Sequence, residues 1–158
     1  LETGIPLFYD HIAPLAASPK LGPVLWQLPP TFKRNDERLA AALAALPAGR
    51  HAFEFRHPTW YSAEVYELLR RRDAALVISD SPKYPFRELE LTADWTFVRF
   101  HYGTRGRNGN YSEAEIAGWA DRIAGWRESG VDVYAYYNND WEAYAVRNGL
   151  RLRRLLDV

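Results

Sequence analysis

Apolar residues come in two rhythms along this chain. Short, nearly unbroken runs alternate with longer stretches in which apolar positions recur every three or four residues. The first kind reads as buried strand and the second as amphipathic helix. Residues 23–28, "PVLWQL", close on Pro29–Pro30 and read as a strand. From Asp36 to Leu46 the leucines at 39, 43 and 46 fall at helical spacing, and the pattern stops at Pro47 and Gly49. "HAFEF", residues 51–55, is the second strand. Ser62 is placed to cap a helix that carries Val65, Leu68 and Leu69 on one face and Arg70 to Arg72 in its last turn. "AALVISD", residues 74–80, and "WTFVRFH", residues 95–101, are the third and fourth strands, with Pro82 and Pro85 in the loop between them.

A glycine-rich stretch, "GTRGRNGNY", follows. Ser112 and Glu115 then form an S-x-x-E capping box, with Tyr111 and Ile116 as a hydrophobic staple around it. That helix presents Ile116, Trp119, Ile123 and Trp126 and ends near Gly130. "DVYAYYNN" is the fifth strand, and a last helix runs through Leu152 and Leu155. The segment up to Lys20 has helical character set against Pro6 and Pro14. Strands alternating with helices predict a parallel α/β sheet with right-handed crossovers and helices outside. No repeat or linker divides the chain, so residues 1–158 are expected to form one domain.

Parallel α/β folds carry their chemistry at the carboxyl ends of the strands. Each predicted strand has polar residues there: Gln27; Glu54, Arg56 and His57; Ser79 and Asp80; Arg99, His101 and Tyr102; Asn138, Asn139 and Asp140. Strand side chains alternate, so Glu54 and Arg56 share a face, as do Arg99 and His101. Unmatched buried charge is costly, which predicts a shared cluster of Glu54, Asp80, Arg56 and Arg99. Glu54 with Arg99 is either a structural ion pair or part of a catalytic site. His57, ahead of Pro58, is either a functional imidazole or a cap. His101, just before a loop, is the better-placed histidine. Asn138, Asn139 and Asp140 either line a site or cap the final helix. Arg105 and Arg107 either close over an anion or form a solvated loop.

Composition narrows the choice. The formal net charge is zero, which weakens the case for a broad basic surface on nucleic acid. Lysine is scarce beside arginine, which reflects either genome base composition or phosphate recognition. There is no cysteine, which removes disulfides, thiolate nucleophiles and Cys-ligated zinc. No apolar run approaches the roughly 20 residues that span a bilayer, and no signal-peptide pattern opens the chain. The expectation is a cytoplasmic protein with no membrane partner. The absence of methionine implies a chain that is either processed or part of a longer product. No G-x-G-x-x-G, P-loop, G-x-S-x-G or H-E-x-x-H motif is present. His101, Glu54 and Asp80 are a conceivable metal set, but their spacing does not call for one, and no cofactor is specified.

"KLGPVLWQLPP", "FEFRHPTW", "TADWTFVRFHYG", "YSEAEIAGWADRIAGW" and "VYAYYNND" occur in the order found in the YecE-like family, domain-of-unknown-function family 72, which the chain resembles from about Leu21 to Leu156. The resemblance implies a TIM-barrel-like fold of roughly 250 residues, with the N-terminal strands lacking here. The expected fold is therefore a partial TIM-barrel-like (β/α) unit of five parallel strands with outer helices. The resemblance also implies that Gln27, Glu54, Arg56, His57, Trp60, Asp80, Arg99, His101, Asn138, Asn139 and Asp140 line the family's pocket. It supplies no activity. The residues themselves suggest a hydrolase for an anionic or phosphate-bearing small molecule. Glu54, Asp80 and His101 would do the chemistry, Arg56 and Arg99 would hold the anion, and Trp60 and Tyr102 would stack on a ring. The alternatives are a non-catalytic nucleic-acid or nucleotide-binding module, and a scaffold in which the polar cluster only sets the fold.

Overall fold

The computed structural model describes residues 4–80, 88–102 and 108–158. Five strands, β1 (Val24–Gln27), β2 (His51–Glu54), β3 (Ala75–Ser79), β4 (Trp95–Phe100) and β5 (Asp132–Tyr137), lie side by side in chain order. Every neighbouring pair is parallel. Sequential order means that the sheet winds in one direction, as in a barrel, without the reversal of a doubly wound sheet. The sheet is open, with β1 and β5 as its edges.

Helices α1 (Gly4–His11) and α2 (Ala13–Ala16) precede β1, and α3 (Asp36–Ala45) and α4 (Ala63–Arg70) link the first three strands. Helix α5 (Glu113–Glu128) links β4 to β5, and α6 (Tyr144–Leu156) closes the chain. The starts are capped as the sequence implies. Ser62 accepts from the backbone of Val65, and the reciprocal Ser112–Glu115 box is complete. The two opening prolines sit where helices tolerate them: Pro6 is in the first turn of α1, and Pro14 occupies an early position in α2. Strand β1 is shorter than its apolar run because Pro23 has no N–H to donate and Pro29 follows.

Strand parity splits the core. Phe53, Phe55 and Leu76 point outward to Leu39, Leu43, Val65 and Leu69 of α3 and α4. Ile78, Val98 and Phe100 pack against Ile116, Trp119, Ile123 and Leu152 of α5 and α6. Each fully buried aliphatic side chain here, such as Leu69 or Ile116, contributes about 1.5–3 kcal/mol. The concave face carries Ala52, Ala75, Val77, Trp95 and Phe97, with Leu25 and Tyr134 beside them.

Two arginines span that concave face. At the amino ends, Arg50 before β2 donates to Asp132 (2.6 Å) and to the Tyr134 hydroxyl (2.9 Å) on β5, with its guanidinium 5.6 Å from the Trp95 ring centre. At the carboxyl ends, Arg99 on β4 donates to Gln27 on β1 at 3.1 Å. In a flat sheet strands three apart would stand about 14 Å from each other. The curl of the half-barrel closes that gap.

Candidate functional site at the strand carboxyl ends

Glu54 ends β2 with its side chain on the concave face and almost wholly buried. Its Oε2 accepts from Arg99, and its Oε1 lies 3.3 Å from the Arg56 guanidinium. Gln27, in register with Glu54, offers its amide oxygen to the same two cations, at 3.0 Å from Arg56 and 3.1 Å from Arg99. One carboxylate and one amide oxygen are thus shared by two guanidiniums. Exposure is graded: the Arg99 side chain is 14% exposed and that of Arg56 is 41% exposed. Arg56 therefore forms the outer lip of the cluster and Glu54 its floor.

His101 follows on the same face as Arg99. Its Nε2 is buried, 4.0 Å from Glu54 Oε1, and has no hydrogen-bond partner among the described residues. Burial pushes the imidazole below the ordinary histidine range, and Arg99 pushes it further, against the opposing pull of Glu54 and Asp80. The ring is therefore neutral near pH 7.

Asp80 departs from the expected cluster. Ile78 faces the helices, so Asp80, two residues on, does too. Its carboxylate accepts from the backbone N–H of His101 (2.6 Å) and of Tyr102 (3.2 Å) and from the Tyr111 hydroxyl. It ties the end of β3 to the end of β4 and so fixes the backbone that carries His101. Ser79, in register with Arg99, holds the concave position at this level of β3.

Other sequence-predicted residues lie elsewhere. Trp60 is not at the cluster. Pro58 starts a short 3-10 turn that carries the indole outward, where it stacks on Phe55 at 4.6 Å and donates to the Phe32 carbonyl. His57 caps that turn: its Nδ1 accepts from the Thr59 backbone and hydroxyl. Tyr102 is half-buried, its ring 6.1 Å from that of His101. Asn138 is exposed at the end of β5, and its backbone N–H bonds the Phe100 carbonyl. Asn139 is buried and donates to the Gly109 carbonyl (2.6 Å) and to Asn148 (2.7 Å), which makes it a loop joint. Asp140 is exposed and makes no capping bond. Arg105 and Arg107, like Pro82 and Pro85, lie outside the described residues. Among the described residues no three His, Asp or Glu side chains are grouped to hold a metal ion.

Three structural partners escaped the sequence reading. Tyr111 serves Asp80 as well as the staple, Thr92 bridges Ala74 and Leu76, and Asn148 joins Asn110, Tyr111 and Asn139. A usable signal existed for Asn148, which lies one helical turn before Leu152 on the apolar face of α6.

The sequence matches the family "Protein of unknown function DUF72" over residues 2–158. The chain belongs to that family. It is 25% identical to UPF0759 protein YunF of Bacillus subtilis (strain 168), over 96% of this chain and 63% of that protein. Crystal structures of two DUF72 family proteins superimpose on it with a TM-score of 0.85 each. One is from Thermotoga maritima MSB8, 28% identical, and the other from Enterococcus faecalis V583, 23% identical. Each alignment covers 98% of this chain and 65% of the longer protein. The chain thus spans a little under two thirds of the length of these relatives. Among the described residues no helix is long and apolar enough to cross a membrane.

Proposed function

We propose that the cluster at the strand carboxyl ends binds the anionic group of a small substrate and that the protein hydrolyses an ester at that group. The observation that carries this reading is the charge balance of Glu54, Arg56 and Arg99. A single buried carboxylate is shared by two guanidiniums, and the neighbouring imidazole is neutral. A guanidinium offers five N–H donors. Among the described residues Arg99 spends only one nitrogen on Glu54 and Gln27, and so does Arg56. The remaining donors suit the planar or tetrahedral oxygens of a carboxylate or phosphate.

For a phosphoester the chemistry would run on this chain's own groups. Neutral His101 takes a proton on Nε2 from a water molecule as the water oxygen bonds phosphorus. The ester P–O bond breaks, and the leaving oxygen takes its proton from solvent beside exposed Arg56. Arg56 and Arg99 hold the charge that builds on the phosphoryl oxygens. Glu54 fixes both cations and stabilises the imidazolium that forms. Asp80 acts as a positioning residue through the backbone of His101 and not as a base.

The test is turnover of p-nitrophenyl phosphate together with calorimetric binding of inorganic phosphate. Arg99→Ala is expected to weaken phosphate binding at least tenfold. His101→Gln is expected to keep binding and lose 10²-fold or more of turnover, the usual worth of a general base. Unchanged turnover in His101→Gln would remove the imidazole from its role, and undiminished binding in Arg99→Ala would refute the anion site.

A further inference from the structure

We infer that the anion bound at this site is a tetrahedral phosphoryl group, and that the Ser79 hydroxyl takes one of its oxygens. The inference rests on the anion reading above and decides between the planar and tetrahedral groups that the arginines alone would accept. Strand β3 lies between β2, which leads to Glu54 and Arg56, and β4, which leads to Arg99 and His101. The bond from Arg99 to Glu54 and the 4.0 Å approach of His101 Nε2 to Glu54 therefore both cross the end of β3. Ser79 is the concave residue at that end, in register with Arg99. On the other side Ala52 pairs with Ala75 and Phe53 with Leu76, and the same offset sets Arg56 level with Ser79. The hydroxyl thus belongs to the strand between the two that carry the cations, at the level of both.

Ser79 is the only polar residue of β3. It is half-buried, and among the described residues its hydroxyl makes no hydrogen bond. A small side chain is all that the Glu54–Arg99 bond needs in order to pass over β3, and alanine would supply that. Serine adds a donor that no described residue uses. Arg56 then offers donors from the β2 side, Ser79 from β3 and Arg99 from β4. The lone pairs of a carboxylate lie near one plane, which two guanidiniums fill. A phosphoryl group presents three oxygens that do not share a plane with phosphorus, one for each strand. Its ester oxygen then points to the open side of the cluster, past Arg56.

The probes are inorganic phosphate and acetate, each titrated calorimetrically into the protein and its variants. Ser79→Ala should weaken phosphate binding about tenfold, the lower end of what a hydrogen bond to a charged group supplies, and leave acetate binding within about twofold. Ser79→Thr keeps the hydroxyl on a residue suited to a strand and should hold phosphate within about threefold of the parent protein. A thermal melt of each variant verifies the fold. If phosphate binds and Ser79→Ala leaves its affinity unchanged, or weakens acetate equally, the phosphoryl inference fails and the anion site stands. The same holds if acetate binds and phosphate does not, or if a folded Ser79→Thr loses as much phosphate affinity as Ser79→Ala. If neither probe binds, the anion reading fails and this inference falls with it.

Discussion

Glu54 on β2 is bonded to Arg99 on β4 across the carboxyl end of β3, the strand between them. The contact skips a strand because the sheet curls, and it places an acid and a base in a layer where neither would survive alone. Glu54 is 2% exposed, so its carboxylate oxygens are satisfied by protein partners in place of water.

The first prediction concerns that pair. Arg99→Met leaves Glu54 with Arg56 at 3.3 Å as its remaining described cation and should cost about 3–5 kcal/mol, the usual penalty for stranding a buried charge. Glu54→Gln should cost less, because Arg99 reaches solvent more readily. The double variant should recover a large part of the Arg99→Met loss. Urea unfolding of the four proteins gives the coupling directly. Strict additivity of the two single costs would mean that the pair contributes no coupling, contrary to its geometry.

The second concerns Asp80. Its carboxylate accepts from two backbone N–H groups and from Tyr111, so it organises the turn that presents His101. Tyr111→Phe removes one charge-assisted hydrogen bond and should cost about 1.5–3 kcal/mol. Asp80→Ala takes the acceptor from the His101 N–H and leaves the Tyr102 N–H only the Tyr111 hydroxyl at 3.2 Å, and it should cost more than Tyr111→Phe. A loss of p-nitrophenyl phosphate turnover in Asp80→Asn should accompany a changed His101 environment, visible as a shifted imidazole proton resonance. Loss of turnover with an unmoved resonance would instead make Asp80 a direct participant.

The sequence made the strands and helices legible because period, caps and prolines agreed at nearly every boundary. The concave cluster was legible in part. Glu54, Arg56, Arg99 and Gln27 meet because they end strands at matching levels. Asp80 misled for a physical reason. The run from Ala74 to Ile78 is apolar on both faces, so its sequence does not reveal which parity is concave. Trp60 misled because a 3-10 turn breaks the alternation that a strand would have continued. Asn139 looked like a site residue because a buried hydrogen-bonded joint and a functional amide use the same side chain.

The third prediction tests that joint. Gly109 has φ +37°, and a Cβ there would lie 3.2 Å from the His101 carbonyl oxygen and 3.3 Å from Asn139 Cβ. Gly109→Ala therefore meets strain and crowding together and should destabilise by about 1–3 kcal/mol. Asn139→Ala leaves the Gly109 carbonyl without its side-chain donor and Asn148 with only the longer bond from the Tyr111 N–H, and should cost about the same. Both substitutions act on the segment that adjoins His101, so calorimetric melting temperatures should fall in each. A melting temperature unchanged in Asn139→Ala would show that the joint is dispensable.

The last prediction is a pH dependence of stability. Burial lowers the pKa of His101 and also of His51. Burial holds His51 neutral against the opposing pull of the Pro47 carbonyl, which lies 2.9 Å from Nε2 and accepts its proton, while Trp26 donates to Nδ1 at 3.2 Å. A proton added to Nδ1 would break the Trp26 bond and place a cation near Arg72. Each histidine thus binds its proton more weakly in the folded protein than in the unfolded chain, where the pKa is about 6.5. Between the two values the unfolded state holds the extra proton, so stability rises with pH there. The contribution is complete above about pH 6.5, declines as pH falls through that value, and levels off below the folded-state pKa. The limiting slope is about 1.4 kcal/mol per pH unit for each histidine. Urea midpoints from pH 8 to pH 5 should therefore fall on acidification. His51→Gln and His101→Gln should each flatten the curve, and the double variant should flatten it most. A slope that survives both substitutions would assign the acid sensitivity to carboxylates and leave the two imidazoles without that role.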